Sequence, residues 1–187
     1  MVSIVSLWLP ILLSAVAVFV ISSLLHMLFT YHNSDFKKLP SEDEIMNDLR
    51  KYNIPTGDYM LPFCTDPKER KSEQFQEKMN KGPVLITTVF PSGEMKMGKS
   101  LVLWFIYCLI IGIFSAYITG HAVQAGSDYL SVFRFVGAVS FAGYSLALMQ
   151  DSIWYMKSWS ATIKSMFDGL IYALFTAGIF GWLWPGM

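Results

Sequence analysis

Charge is scarce in this sequence and unevenly spread. Only 15% of its 187 residues are Asp, Glu, Lys or Arg, against about a quarter in water-soluble domains. Fourteen basic residues balance fourteen acidic ones, so there is no net positive field to hold nucleic acid through counterion release. Two cysteines, Cys64 and Cys108, are too few for a disulfide framework. Cys108 reads as a small apolar residue of a membrane span and Cys64 as an exposed thiol. The chain has no P-loop, dinucleotide fingerprint, HExxH, CxxC or GxSxG pattern, which removes the nucleotide, zinc-protease and serine-hydrolase signatures.

Apolar residues are what it has in abundance: 53% are hydrophobic and the mean hydropathy is +0.43. Of the 28 charged residues, 22 lie between Asp35 and Lys99, while residues 1–34, 100–127, 135–150 and 169–187 carry none. A membrane-crossing helix needs roughly 20 apolar residues, because the hydrocarbon layer is about 30 Å thick and a helix rises about 1.5 Å per residue. Four runs qualify: Ser6 to Phe29, Ser100 to Gly120, Tyr129 to Gln150 and Met166 to Trp184. The expected fold class is an all-α membrane protein. Residues 1–29 supply the first transmembrane helix, 30–99 a polar segment of short helices, and 100–187 the other three helices of a bundle. The first run is not a secretory signal, because no Lys or Arg precedes it and it outlasts an h-region. Pro10 in the first turn of its helix and Pro185 after the last are boundary residues. Trp8, Trp182 and Trp184 suit one interfacial belt, and Trp104, Trp154 and Trp159 the opposite one.

The segment Thr30 to Lys99 holds eleven Lys and Arg, the connection Ser152 to Ser165 holds Lys157 and Lys164, and the other side has only Arg134. The positive-inside rule therefore predicts extracytoplasmic termini and a cytoplasmic 30–99 segment. Arg134 reads as a topology anchor that snorkels to the outer interface. Within the polar segment, Ser41-Glu42-Asp43-Glu44 matches a capping box opening a helix to about Tyr52. A second helix is expected from about Asp66 to Asn80, and Val84 to Phe90 reads as a strand or an extended interfacial stretch.

Helices in lipid meet through small residues. Gly112, Ala116 and Gly120 form such a stripe on the second helix, and Gly169, Ala173, Ala177 and Gly181 on the fourth; the expected role is packing inside the monomer rather than a dimer seam. For chemistry, the first helix ends with His26, His32 and Asp35, the third with Gln150 and Asp151, and the fourth opens with Asp168. Ionisable groups near a membrane are costly and usually paired or functional. The predicted metal set is His26, Asp151 and Asp168, whose imidazole and carboxylates suit Zn, Mn or Fe; the alternative is that each polar group caps a helix or meets interfacial water. His121 emerges on the far side, roughly 30 Å from His26, and cannot join it.

The stretches His26-Met27 with Tyr31-His32-x-Ser34-Asp35-Phe36, Met97-Gly98-Lys99-Ser100 leading to Trp104-Phe105-x-Tyr107-Cys108, Phe133 to Gly137, and Asp168-Gly169-Leu170 with Gly181 to Pro185 resemble a family of small bacterial integral membrane proteins to which no function is assigned. The resemblance covers most of the chain. It implies an α-helical bacterial inner-membrane protein and transfers no active site. Three functions compete: a non-enzymatic accessory or scaffold subunit of a larger membrane complex, a membrane metalloprotein or enzyme using the His/Asp cluster, and an oligomeric small transporter or channel. The expected partners are the lipid bilayer and other membrane subunits or a second copy of the chain. No cofactor is evident beyond a possible divalent metal.

The orientation is testable. A cysteine introduced at Ser41 should escape a membrane-impermeant thiol reagent in intact cells. Ready labelling would reverse the orientation and leave the four spans untouched.

Overall fold

An apolar chain in lipid must satisfy its own backbone hydrogen bonds, and a helix does this within one segment. The computed structural model describes residues 1–186 and contains four helical stretches long and apolar enough to cross a membrane, Ile4–Leu28, Gly98–Ala122, Tyr129–Tyr155 and Trp159–Trp182. The fold is an all-α bundle. The chain divides into two compact units, one made of Met1–Lys37 with the chain from Lys96 onward, the other of Lys38–Met95.

In the first unit, a 3-10 turn at Ile4–Leu7 leads into α1 (Trp8–Leu28), and α4 (Gly98–Ala122) follows later in the chain. The third span is interrupted: α5 (Tyr129–Ser145) passes through a 3-10 turn at Leu146–Leu148 into α6 (Met149–Tyr155). The last span, α7 (Trp159–Trp182), starts seven residues before the expected Met166. Lys164 does not end the span, because its ammonium is engaged by Asp35 at 2.8 Å inside the unit. Ser152 and Thr162, whose hydroxyls are 2.7 Å apart, tie α6 to the first turns of α7.

The small-residue stripes face neighbouring helices. A Cβ on Gly112 would meet Ile11, and one on Gly120 would lie 2.6 Å from the Val2 carbonyl oxygen, whose own amide donates to the Gly120 carbonyl at 2.8 Å. Ala116, Ala173 and Ala177 are buried. A Cβ on Gly169 would overlap Ser145 Oγ, and one on Gly181 would sit 2.6 Å from the Tyr129 ring. The most extensive helix contact is between α5 and α7, where these small residues let the backbones approach. Hydroxyls add polar contacts between spans: Ser115 Oγ lies 2.9 Å from Ser140 Oγ, and Trp104 Nε1 donates to Ser22 Oγ at 2.8 Å. Phe180, Val132 and Val136 fill one buried cluster, and Val18, Cys108, Tyr144 and Tyr172 another. Large apolar side chains such as Val20, Leu103 and Phe114 point outward, as lipid-facing residues do. Trp184 departs from the expected interfacial belt: it is buried and its indole N–H donates to the Gln124 carbonyl at 2.9 Å.

In the second unit, α2 (Glu42–Arg50) forms, but without the expected capping box. Ser41 is left-handed at φ 49° and its side chain makes no cap hydrogen bond. The expected Asp66–Asn80 helix is divided, with a 3-10 turn at Glu69–Lys71 and then α3 (Glu73–Lys81), because Ser72 is extended and its hydroxyl accepts from Phe75 N–H as an N-cap. The Val84–Phe90 stretch supplies β2 (Leu85–Val89), antiparallel to β1 (Gly57–Leu61) with Tyr59 opposite Thr87. Cys64 is buried rather than exposed, and its thiol donates to the Asp66 carbonyl at 3.2 Å.

The packing yields a prediction for α7. Ala177→Leu forces a larger side chain into a fully buried contact and should destabilise the protein by about 1–3 kcal/mol. Leu174→Ile, at an outward-facing position, should change little. Thermal unfolding in detergent that moved equally for both would place the stripe on the lipid face.

Candidate metal centre

The centre is assembled by the way α1 ends. After Leu28 the backbone turns extended at Phe29, with φ −103° and ψ 134°, and then winds a 3-10 turn over Tyr31–Ser34. This turn doubles back so that the His32 ring stacks on His26, with centroids 4.9 Å apart and planes 10° from parallel. On a continuous helix, residues six apart would point to different faces. Across from them, α7 presents Lys164 and Asp168 one turn apart on the same face.

Asp168 is the hub. It is the tenth residue of α7, about 14 Å along the axis from Trp159, and only 3% exposed. It therefore does not cap its helix. The Tyr31 hydroxyl donates to Oδ1 of Asp168, and His32 Nε2 lies 2.8 Å from Oδ2. On its other side, His32 Nδ1 lies 2.5 Å from Asp35 Oδ2. Asp35 Oδ1 accepts from Lys164 Nζ at 2.8 Å, and the same ammonium donates to the Tyr31 carbonyl and to Ser34 Oγ, each at 2.7 Å. His26 stands apart from this chain of bonds. Its Nδ1 is 3.0 Å from the Ser22 carbonyl, which fixes N–H there and leaves the Nε2 lone pair available.

The electrostatics follow from this ring of groups. Burial alone would lower the His32 pKa, but hydrogen bonds to Asp35 and Asp168 and the two carboxylate charges outweigh it, so the pKa is raised. The Lys164 ammonium, and after it His32, hold the Asp35 carboxyl below its ordinary range. Burial, followed by the hydrogen bond to Asp168, raises the Tyr31 phenol.

One ligand atom from each of His26, His32 and Asp168 lies within 4.8 Å of the other two. Of the sequence-predicted set, the structure brings His26 and Asp168 together. Asp151 is a correction: it is not in this group, and its carboxylate pairs with Lys157 at 2.6 Å. Asp151 lies beyond the 3-10 break at Leu146–Leu148, and His32 is the third member of the group that could hold a metal. His121 is hydrogen-bonded within its own helix to the Tyr117 carbonyl.

A cavity of about 750 Å³ opens beside the centre, and His26 and Asp168 form part of its wall together with Ser22, Ser23 and Ser165. Another recess, lined by Tyr129, Leu174, Phe175 and Trp182, has no ligating side chain. No family model, curated protein or solved structure matches this chain.

Two predictions rest on this geometry. Removing one partner from a buried ionic network leaves an uncompensated charge and costs about 3–5 kcal/mol, so Asp168→Ala should destabilise strongly. Asp151→Ala breaks a solvent-exposed pair and should cost below about 1 kcal/mol; equal melting shifts would contradict the hub. The second concerns pH in chelator-treated protein. The raised His32 pKa stabilises fully below its ordinary value of 6.5 and is lost as pH rises through the folded value. The lowered Asp35 pKa stabilises above its ordinary value of 3.8 and is lost as pH falls through the depressed one. Stability should peak in mildly acidic solution, and His32→Gln should flatten the alkaline limb of a melting-temperature profile.

Proposed function

We propose that this is a four-span integral membrane protein that binds a divalent first-row transition metal through His26, His32 and Asp168. The observation that carries this reading is the grouping of two imidazoles and one buried carboxylate within 4.8 Å. This donor set is found in open catalytic zinc sites and in facial-triad iron sites. Metal–donor distances of about 2.0–2.2 Å put tetrahedral donors roughly 3.4 Å apart. His32 Nε2 and Asp168 Oδ2 are 2.8 Å apart, and His26 brings the third ligand atom within 4.8 Å of both. Supporting groups are in place as well: Asp35 orients His32 and the Ser22 carbonyl orients His26, the outer contacts that fix a ligand's tautomer and direction.

Three protein ligands leave at least one coordination position open, so the centre is suited to a bound water or a substrate. The lysine and arginine distribution favours the cytoplasmic side, with extracytoplasmic termini, and the family resemblance favours a bacterial inner membrane. The metal reading is preferred to an accessory subunit or an oligomeric transporter because it gives a role to His26, which stands outside the hydrogen-bonded network yet lies beside His32 and Asp168.

Metal analysis of the purified protein tests it. After incubation with zinc and removal of excess, about one equivalent should remain per chain. The double variant His26→Ala, His32→Ala should lose it, Asp35→Asn should weaken it by about 10–100-fold, and Asp151→Ala should retain it. A wild-type protein that takes up no zinc, iron or manganese, or a double variant that keeps its metal, would overturn the proposal.

A further inference from the structure

The cavity beside the centre has two chemistries. His26, Asp168, Ser22, Ser23 and Ser165 bring polar atoms to its lining, while the rest of the wall is aromatic and aliphatic, with Phe19, Trp104, Tyr107, Tyr144, Leu148 and Tyr172. The aromatic side chains form a continuous cluster: Trp104 and Tyr172 have ring centroids 5.8 Å apart and Tyr144 and Tyr172 5.6 Å. The cavity is not sealed. Met27 and Met97 on its rim are 84% and 67% exposed, and Leu101 and Tyr107 are partly exposed, so a molecule can enter sideways from the lipid. At about 750 Å³ it falls within the roughly 300–1,000 Å³ of small-molecule sites.

Charge selects the head of the occupant. Asp168 and Asp35 bring two negative charges and Lys164 one positive, so a divalent ion held by neutral imidazoles leaves the centre with one positive charge in excess. An open coordination position with that excess favours a monoanionic oxygen ligand. We infer that the cavity binds a long-chain carboxylate, a free fatty acid, with its chain along the Trp104–Tyr144–Tyr172 wall and its head at the metal held by His26, His32 and Asp168. This inference rests on the metal reading. The carboxylate oxygen fills the open position, and the aromatic wall replaces the lipid contacts of the chain.

The test uses the full-length protein in phosphatidylcholine nanodiscs, loaded with Co(II) as a visible reporter of the coordination shell. Palmitate should shift the Co(II) absorption in a saturable way. Acetate shares the head but not the chain, and hexadecanol shares the chain but not the charge; each should act more than about tenfold more weakly. Leu148→Trp, which enlarges a lining side chain that is not a ligand, should keep the Co(II) spectrum and abolish the palmitate response. Co(II) bound with an unchanged spectrum in palmitate overturns the fatty-acid inference and leaves the metal site standing. Equal responses to acetate and palmitate overturn the role of the cavity, and equal responses to hexadecanol and palmitate overturn the charge selection. No Co(II) binding by the wild-type protein overturns both the metal site and this inference.

Discussion

A carboxylate two and a half turns inside an apolar helix constrains everything around it. Charge removed from water is costly unless it is paired and hydrogen-bonded, and Asp168 is almost fully buried. Its two oxygens are met by Tyr31 and His32, which the chain delivers only by leaving the helix at Phe29 and turning back. His32 in turn needs Asp35, and Asp35 needs Lys164, one turn before Asp168 on the same helix. The bonds thus run from α7 to the end of α1 and return to α7. A buried polar network of this kind stabilises when every member is satisfied, and here each of these side chains has a partner.

The bundle that holds this network is built by different physics. Lipid gives helices no hydrophobic reason to associate, so close backbone approach and scattered hydroxyl contacts do so. Gly169 and Gly181 mark the approach of α7 to Ser145 and Tyr129, and Ser115 with Ser140 joins α4 to α5. Beside Asp168, bulky aromatics join the small residues. Helices lined by Trp104, Tyr144 and Tyr172 leave the cavity that reaches Asp168.

The four spans were legible because run length and hydropathy are local properties, and His26 and Asp168 stood out as ionisable groups beside apolar runs. His32 as a ligand was not legible. Its spacing of six from His26 argues against a shared face on a helix, and only the extended residue at Phe29 with the following 3-10 turn brings the rings together. Asp151 reads as part of the metal set because it sits at the end of an apolar run at the same depth as His26 and Asp168; in the structure its carboxylate pairs instead with Lys157, six residues on. The sequence places the start of α7 too late because Lys164 reads as the end of an apolar run, whereas its partner lies more than a hundred residues away in sequence. Ser41 shows the converse: a capping-box pattern is present, yet the left-handed backbone prevents the bond.

The central claim is that one divalent metal sits between His26, His32 and Asp168. X-ray diffraction from crystals of the zinc-loaded protein, recorded on both sides of the zinc absorption edge, tests it directly. The geometry predicts an anomalous peak within about 2.0–2.2 Å of one nitrogen from each histidine and one Asp168 oxygen. A peak at Asp151 or on the acidic residues of the Lys38–Met95 unit, with none among these three side chains, would contradict it.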